Sequence, residues 1–158
     1  MIEKAKLFSK NDYPKKVYLS RRNLKNHYHK RILVNEDEVA ELLIENGYTE
    51  IFADELSFTD EINLFNNVEK VVTPVGAGCS NIFFTNENVK WLAICSNRMT
   101  GNFSLHLMRQ QGNRKIFYFL DTTLIEEFVP DESTIEFNYP YKCNMEAFKT
   151  FLKENDFI

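Results

Sequence analysis

Residues 70–81 read KVVTPVGAGCSN, an apolar run that ends in a loop with two glycines. The run Lys70–Val75 has the β-branched composition of a buried strand. Gly76 and Gly78 allow a sharp turn and a close approach of backbone to a ligand. The chain from Ser80 onward predicts a helix that Ser80 caps, and the free N–H groups of such a helix start attract anions. A tight turn without a ligand explains the same residues, so the loop by itself leaves both interpretations open.

Strands and helices alternate on both sides of this loop. The predicted strands are short apolar segments at Lys16–Ser20, Thr49–Ala53, Lys70–Val75, Asn88–Cys95, Lys115–Leu120 and Ile135–Phe137. The predicted helices begin at Asn35, Leu56 and Ser80 or span Phe103–Gln111 and Met145–Asn155. This alternation predicts an α/β fold: a Rossmann-like, mostly parallel sheet with helices on both faces. The length fits a single domain of residues 1–158.

The start of the first helix has a clear signature. Asn35 is placed to cap it, and Glu38 stands at the capping-box position. The acids Glu36 and Asp37 suit the positive end of the helix, and Gly47 suits its C-terminal end.

Right-handed crossovers bring the carboxyl ends of parallel strands to one edge, where ligands bind in such folds. Ser20-Arg21, Ala53-Asp54 and Val75-Gly76 all follow predicted strands. We therefore expect the basic segment after the first strand to share an edge with the glycine loop.

Charge is distributed unevenly along the chain. Residues 1–35 carry ten Lys/Arg and two Asp/Glu, whereas residues 36–158 carry nine and twenty-one. A local basic segment on an acidic protein predicts an anionic ligand, with phosphate first, although a solvated charged tail accounts for the charge equally well. The pI of about 5.5 argues against a nucleic-acid partner.

Arginines of the basic segment are the candidates for phosphate contacts, because a guanidinium can bind phosphate oxygens in a bidentate manner. The candidates are Arg21, Arg22 and Arg31, and the position directly after a strand favours Arg21. His27 and His29 lack a third ligand, so we predict no metal site.

Other chemistries fit the sequence less well. Cys79 at a helix start would be favoured as a thiolate, but a cysteine hydrolase also needs a histidine base, and only His106 lies outside the basic segment. Glu61 is an acid that can face the ligand edge. A dinucleotide-dependent oxidoreductase is disfavoured because the loop is neither G-x-G-x-x-G nor a Walker motif.

The cysteine content and the hydropathy of the sequence indicate the cellular compartment of the protein. Cys79, Cys95 and Cys143 are odd in number and have no CxxC spacing, which predicts no disulfide framework and a reducing, cytoplasmic environment. No apolar run approaches the roughly 20 residues of a membrane span, and the N-terminus has no signal-peptide pattern. We therefore predict no integral membrane segment.

An ordered set of segments across residues 17–94 resembles glycosyltransferase family 61, which includes bacterial capsular polysaccharide enzymes. The matching segments, in chain order, are Tyr18–Arg22, Arg31–Glu38, Gly47-Tyr48, Leu56–Phe58, Leu64-Phe65 and Gly76–Asn81. The resemblance implies a GT-B fold, in which two Rossmann-like domains face each other, with this chain as the C-terminal, donor-binding half. It further implies an inverting enzyme of capsular or extracellular polysaccharide synthesis that uses a nucleotide-diphosphate sugar, with no cofactor and no metal.

The resemblance also assigns residues. Ser20, Arg21 and Arg31 would face the donor phosphates. Glu61 and Cys79 are further candidates for the cleft lining. The donor loop would consist of Gly76, Ala77, Gly78, Ser80 and Asn81.

Three positions depart from the family pattern, and one of them is Thr73, which stands where the family has Gly. Val75 stands where the family has His, and Glu61 stands where it has Gln. These departures keep open an alternative function, a non-catalytic interaction or scaffold domain with a degenerate glycosyltransferase fold.

A GT-B enzyme takes its glycan acceptor, and usually its general base, from an N-terminal domain that this sequence lacks. We therefore expect an excised C-terminal domain that binds a nucleotide sugar and does not transfer the sugar by itself.

Overall fold

A computed structural model describes residues 13–24, 31–98, 114–125 and 139–158 of the protein. Five strands form one parallel sheet in the order β2-β1-β3-β4-β5. In chain order they are β1 (Lys16–Ser20), β2 (Thr49–Phe52), β3 (Lys70–Pro74), β4 (Lys90–Ile94) and β5 (Lys115–Phe119). Each corresponds to a predicted strand, so the alternating pattern correctly gave the parallel sheet.

Helices and a small second sheet complete the described part. The α-helices are α1 (Glu36–Glu45), α2 (Phe58–Asn67) and α3 (Met145–Glu154). Short 3-10 helices cover Arg22–Leu24, Ala53–Glu55 and Ala77–Phe84. An antiparallel pair, β6 (Thr122–Leu124) with β7 (Tyr141–Cys143), was not predicted.

Side chains alternate between the two faces of the sheet, and each face has its own core. On one face, Val17, Leu19 and Trp91 pack with α2 and the 3-10 helix Ala77–Phe84. On the other face, Tyr18, Val72 and Leu92 pack with α1 and α3. Central parallel strands covered on both faces are apolar along their whole length, and β3 and β4 fit this description. The prediction of helices on both faces is confirmed.

Two helix ends follow the sequence signals, whereas the start of α1 does not. Ser57 caps α2 by accepting a hydrogen bond from Asp60 N at 3.1 Å, and Gly47 ends α1 with a φ of 84°. Asn35 was predicted to cap α1, but its side chain makes no cap bond. It instead donates to the Cys143 carbonyl at 3.1 Å and accepts from the Cys143 N–H at 2.9 Å. This amide therefore joins the start of α1 to β7.

The helix after the glycine loop differs from its prediction in type and start. It is a 3-10 helix that begins at Ala77, and Ser80 lies inside it. The Ser80 hydroxyl donates to the Ala77 carbonyl at 2.7 Å, so Ser80 does not cap the helix.

Some predictions fall outside the described residues: the helix Phe103–Gln111, the strand Ile135–Phe137, and His27, His29 and His106. Within the described ranges, no helix combines the length and apolar character that a bilayer crossing requires.

Candidate functional site

The order of the strands reverses between β1 and β3. From β1 the chain moves to β2 on one side and then to β3 on the other, and ligands of open parallel sheets bind outside the carboxyl ends at such a switch point. A cavity of about 190 Å³ lies there, and we call it the β1–β3 crevice. Its lining includes Ser20, Arg21, Asp54, Thr73, Ala77 and Gly78. The predicted meeting of the basic segment with the glycine loop is thus realised.

Arg21 leans directly across the glycine loop. Its Nη1 donates to the Val75 carbonyl at 2.8 Å. A Cβ atom added to Gly76 would stand 2.8 Å from the same Nη1, so the guanidinium can lie here only because residue 76 has no side chain. Gly78 has a similar relation to Leu19, whose Cδ2 would be 2.9 Å from an added Cβ.

Backbone donors also border the β1–β3 crevice. The first hydrogen bond of the 3-10 helix runs from Cys79 N to the Gly76 carbonyl at 3.0 Å. The N–H groups of Ala77 and Gly78 precede that bond, and no backbone carbonyl of the described residues accepts from them. Orphan N–H groups at a helix start favour anions.

A buried carboxylate that the sequence reasoning missed organises the end of β1. Glu36 is 2% exposed, and its Oε1 accepts from Tyr18 OH at 3.0 Å, Ser20 Oγ at 3.0 Å and Arg21 N at 2.7 Å. Burial, together with the negative charge of Glu36, raises the pKa of Tyr18 well above its ordinary value. We predicted Glu36 to be an ordinary acid of the first helical turn; its nearness to β1 in space was the information that the sequence did not show.

Arg31 lies near enough to Arg21 for the two charges to interact, although it is not among the residues that line the β1–β3 crevice. Its backbone adopts a positive φ of 58°, and its buried Nε has no hydrogen-bond partner among the described residues. Burial first, and then the positive charge of Arg21, lower the pKa of Arg31. Arginine still remains protonated at neutral pH. Within the described ranges no carboxylate forms an ion pair with either guanidinium.

Arg22 has a structural role. Its guanidinium forms a bidentate pair with Glu50 and donates to Asp37 Oδ1 at 3.1 Å. Hydrogen bonds to Glu50 raise the pKa of Arg22. The choice of Arg21 over Arg22 as the phosphate candidate agrees with this geometry.

Cys79 does not behave as its place near a helix start suggested. Its side chain is 1% exposed, inside the core that contains Val17 and Trp91. Burial raises the pKa of Cys79 to about 11, against smaller opposing effects that include the Arg21 and Arg31 charges. The prediction of a favoured thiolate is therefore wrong, because desolvation outweighs the nearby positive charges.

Six of the candidate residues are not among those that line the β1–β3 crevice: Arg31, Glu61, Gly76, Cys79, Ser80 and Asn81. Ser80 is exposed, Asn81 is buried, and Glu61 is half-buried on α2. In the part of the chain that the structure describes, no group of three or more His, Cys, Asp or Glu residues is arranged to hold a metal ion.

Comparison with protein families matches residues 1–92 to the family described as Glycosyltransferase 61. No curated protein matches the chain. All residues that line the β1–β3 crevice fall within the matched range. The match thus covers the part of the sheet where arginines and glycines converge.

Proposed function

Because the chain belongs to glycosyltransferase family 61, we propose that its β1–β3 crevice binds the diphosphate of a nucleotide-sugar donor. The proposed enzyme is inverting and needs neither a metal nor a cofactor for donor binding. This chain is its C-terminal half in a GT-B arrangement. The glycan acceptor and the general base come from an N-terminal domain, so the chain alone binds donor without transferring sugar. Capsular or extracellular polysaccharide synthesis in the cytoplasm is the proposed setting.

One observation carries the proposal: Arg21 lies across the glycine loop with the charge of Arg31 near it, and neither guanidinium forms an ion pair with a carboxylate of the described residues. Two neighbouring cations repel each other, and burial weakens the solvent screening that would relieve them. A diphosphate supplies the missing negative charge and accepts the hydrogen bonds of both side chains. The orphan N–H groups of Ala77 and Gly78 add donors on the same side.

The same groups suit the chemistry of glycosyl transfer. As the glycosidic bond to the donor breaks, negative charge builds on the departing nucleoside diphosphate. Fixed donors and cations that face this charge stabilise the transition state. In our proposal Arg21, Arg31 and the loop N–H groups have this role, and Glu36 positions Arg21 and Ser20 for it.

Isothermal titration calorimetry with UDP-, GDP- and CMP-sugars tests the proposal. We expect a nucleotide-diphosphate sugar to bind and Arg21→Gln to weaken it by about 1.5–3 kcal/mol, the range for hydrogen bonds to charged groups. Lys115→Gln is the control, because Lys115 is exposed at the opposite, amino end of β5. Equal affinities for wild type and Arg21→Gln would rule out the phosphate role.

A non-catalytic interaction domain is the second candidate. Val75, which replaces the family's His, is fully buried in the core, so this position offers the crevice only its backbone carbonyl. Absence of binding by every nucleotide sugar at millimolar concentration would favour this candidate.

A further inference from the structure

The β1–β3 crevice has a second, chemically opposite wall at the end of β2. Asp54 lies in the 3-10 helix Ala53–Glu55 that directly follows β2, and it lines the same cavity as Arg21 and Gly78. Its Oδ1 accepts a hydrogen bond from Asn23 Nδ2 at 2.7 Å, and Asn23 also lines the cavity. A side chain from the segment after β1 therefore fixes the orientation of this carboxylate.

A carboxylate cannot serve the same ligand group as the arginines. Ionised Asp only accepts hydrogen bonds, and its charge repels phosphate. It needs a ligand group that donates, and a sugar ring offers hydroxyls. Neighbouring strands lie about 4.8 Å apart, and β1 separates β3 from β2. Asp54 therefore lies about two strand spacings, roughly 10 Å, from the glycine loop, within the same cavity.

Resting on the proposed function, we propose that Asp54, held by Asn23, accepts hydrogen bonds from hydroxyls of a sugar ring of the donor. The ring is either the ribose of the nucleotide or the transferred sugar; both carry neighbouring hydroxyls attached through phosphate. The crevice is then bipolar. Arg21 and Arg31 bind the phosphates over β1 and β3, and Asp54 recognises the sugar over β2.

Calorimetry with three probes separates the two walls: inorganic pyrophosphate, UDP and UDP-glucose. For Asp54→Ala we expect pyrophosphate to bind as well as or better than to wild type, because a repelling charge is gone. UDP-glucose should bind about tenfold more weakly, which corresponds to the loss of a charge-assisted hydrogen bond. A matching tenfold loss for UDP identifies the ribose, whereas unchanged UDP affinity identifies the transferred sugar.

Two further variants complete the test. Asp54→Asn keeps one acceptor oxygen and should recover part of the lost affinity. Glu55→Ala removes the same charge from the same 3-10 helix but from a residue outside the cavity lining, and it should leave all three probes unchanged. If Asp54→Ala leaves UDP and UDP-glucose unaffected, or weakens pyrophosphate equally, the sugar-binding role of Asp54 is overturned while the phosphate site stands. If wild type binds none of the probes, the proposed function fails together with this inference.

Discussion

The carboxylate of Glu36 fixes the end of β1, because one of its oxygens accepts hydrogen bonds from two hydroxyls and a backbone N–H. Removing a buried acceptor that serves three donors is costly, since each donor would lose its partner. The hydroxyl of Tyr18 is itself fully buried and cannot turn to water instead.

We expect Glu36→Ala to lower the free energy of unfolding by about 3 kcal/mol, because three donors lose their acceptor and at least one stays buried. Urea denaturation at neutral pH measures this. Glu38→Ala is the control, since Glu38 is an exposed acid of the same helical turn and should change stability by less than about 0.5 kcal/mol. Similar stabilities for the two variants would refute the structural role of Glu36.

The close approach of Arg21 to Gly76 predicts that a side chain at position 76 weakens donor binding. In Gly76→Ala the new methyl group would lie only 2.8 Å from Arg21 Nη1, which is too close for a van der Waals contact. The guanidinium must move, so donor affinity should fall about tenfold, measured by calorimetry, with little change in thermal stability.

The matched control is Gly47→Ala. Gly47 has a positive φ of 84° and nothing within 4 Å of an added Cβ. This variant should lose about 1 kcal/mol of stability through backbone strain and keep its donor affinity. If Gly47→Ala weakened donor binding while Gly76→Ala lowered only the stability, the geometry described for Arg21 would be contradicted.

For single residues, the sequence predicted the location at the sheet edge better than it predicted the burial of the side chain. Arg21 and the glycine loop were correctly predicted to lie at the same edge, because the carboxyl ends of parallel strands meet there. The thiolate of Cys79 was predicted wrongly because a helix start suggests positive charge, while burial depends on packing that only the fold reveals. Glu36 was missed for the same reason.

At the scale of elements, Arg22 clamps the chain after β1 to two neighbours. It pairs with Glu50 on β2 and with Asp37 on α1, and its side chain is 29% exposed against 14% for Glu50. This geometry holds the 3-10 helix Arg22–Leu24 beside the β1–β3 crevice.

We expect Arg22→Gln to lower stability by about 1–2 kcal/mol, because a bidentate, partly buried pair is stronger than an ordinary surface pair. Lys15→Gln, whose partner Glu69 is exposed like Lys15 itself, should cost less than about 0.5 kcal/mol. Denaturation of both variants at low and high salt is the measurement. Equal losses would mean that the clamp contributes no more than a surface ion pair.

Short elements were the least predictable. The strands β6 and β7 have three residues each, too few for a hydropathy pattern to mark them. Their position also depends on the Asn35 amide, which bonds to Cys143 across 108 residues of sequence. Local signals carry no information about such a contact.

For the whole molecule, the three buried thiols contribute to a loss of stability at alkaline pH. Burial raises the pKa of Cys79 to about 11 and that of Cys143 to about 12, and it raises the pKa of Cys95 further. The unfolded chain releases these protons near pH 9 while the folded chain keeps them, so stability falls as pH rises from about 9 to 11.

In Cys79→Ala the free energy of unfolding should fall less steeply as the pH rises. Between pH 9 and 10.5 the variant should lose less stability than wild type by on the order of 1 kcal/mol, the contribution of a single shifted thiol. Urea denaturation at several pH values gives the slope. An unchanged slope would show that the Cys79 thiol ionises in the folded protein as readily as in the unfolded chain.

The overall architecture was the most predictable level. It depends on the hydropathy period of each segment and on the order of strands and helices along the chain, and not on individual contacts. Apolar runs at Lys70–Pro74 and Lys90–Ile94 mark strands covered on both faces, and the alternation with helices then requires parallel pairing. The family match ends at residue 92, yet the core of the face with α1 also needs Phe148 and Leu152 of α3. The core on this face of the sheet therefore extends beyond the matched range.

The crowding of Arg21 and Arg31 has a practical consequence. Two neighbouring cations that form no ion pair with a carboxylate of the described residues repel each other, so we expect an anion that binds in the crevice to raise the melting temperature. Occupancy at a hundredfold excess over the dissociation constant adds about 2.7 kcal/mol to the free energy of unfolding. Thermal stability thus becomes an assay, because a library of phosphorylated metabolites can be ranked by the melting temperature that each compound produces.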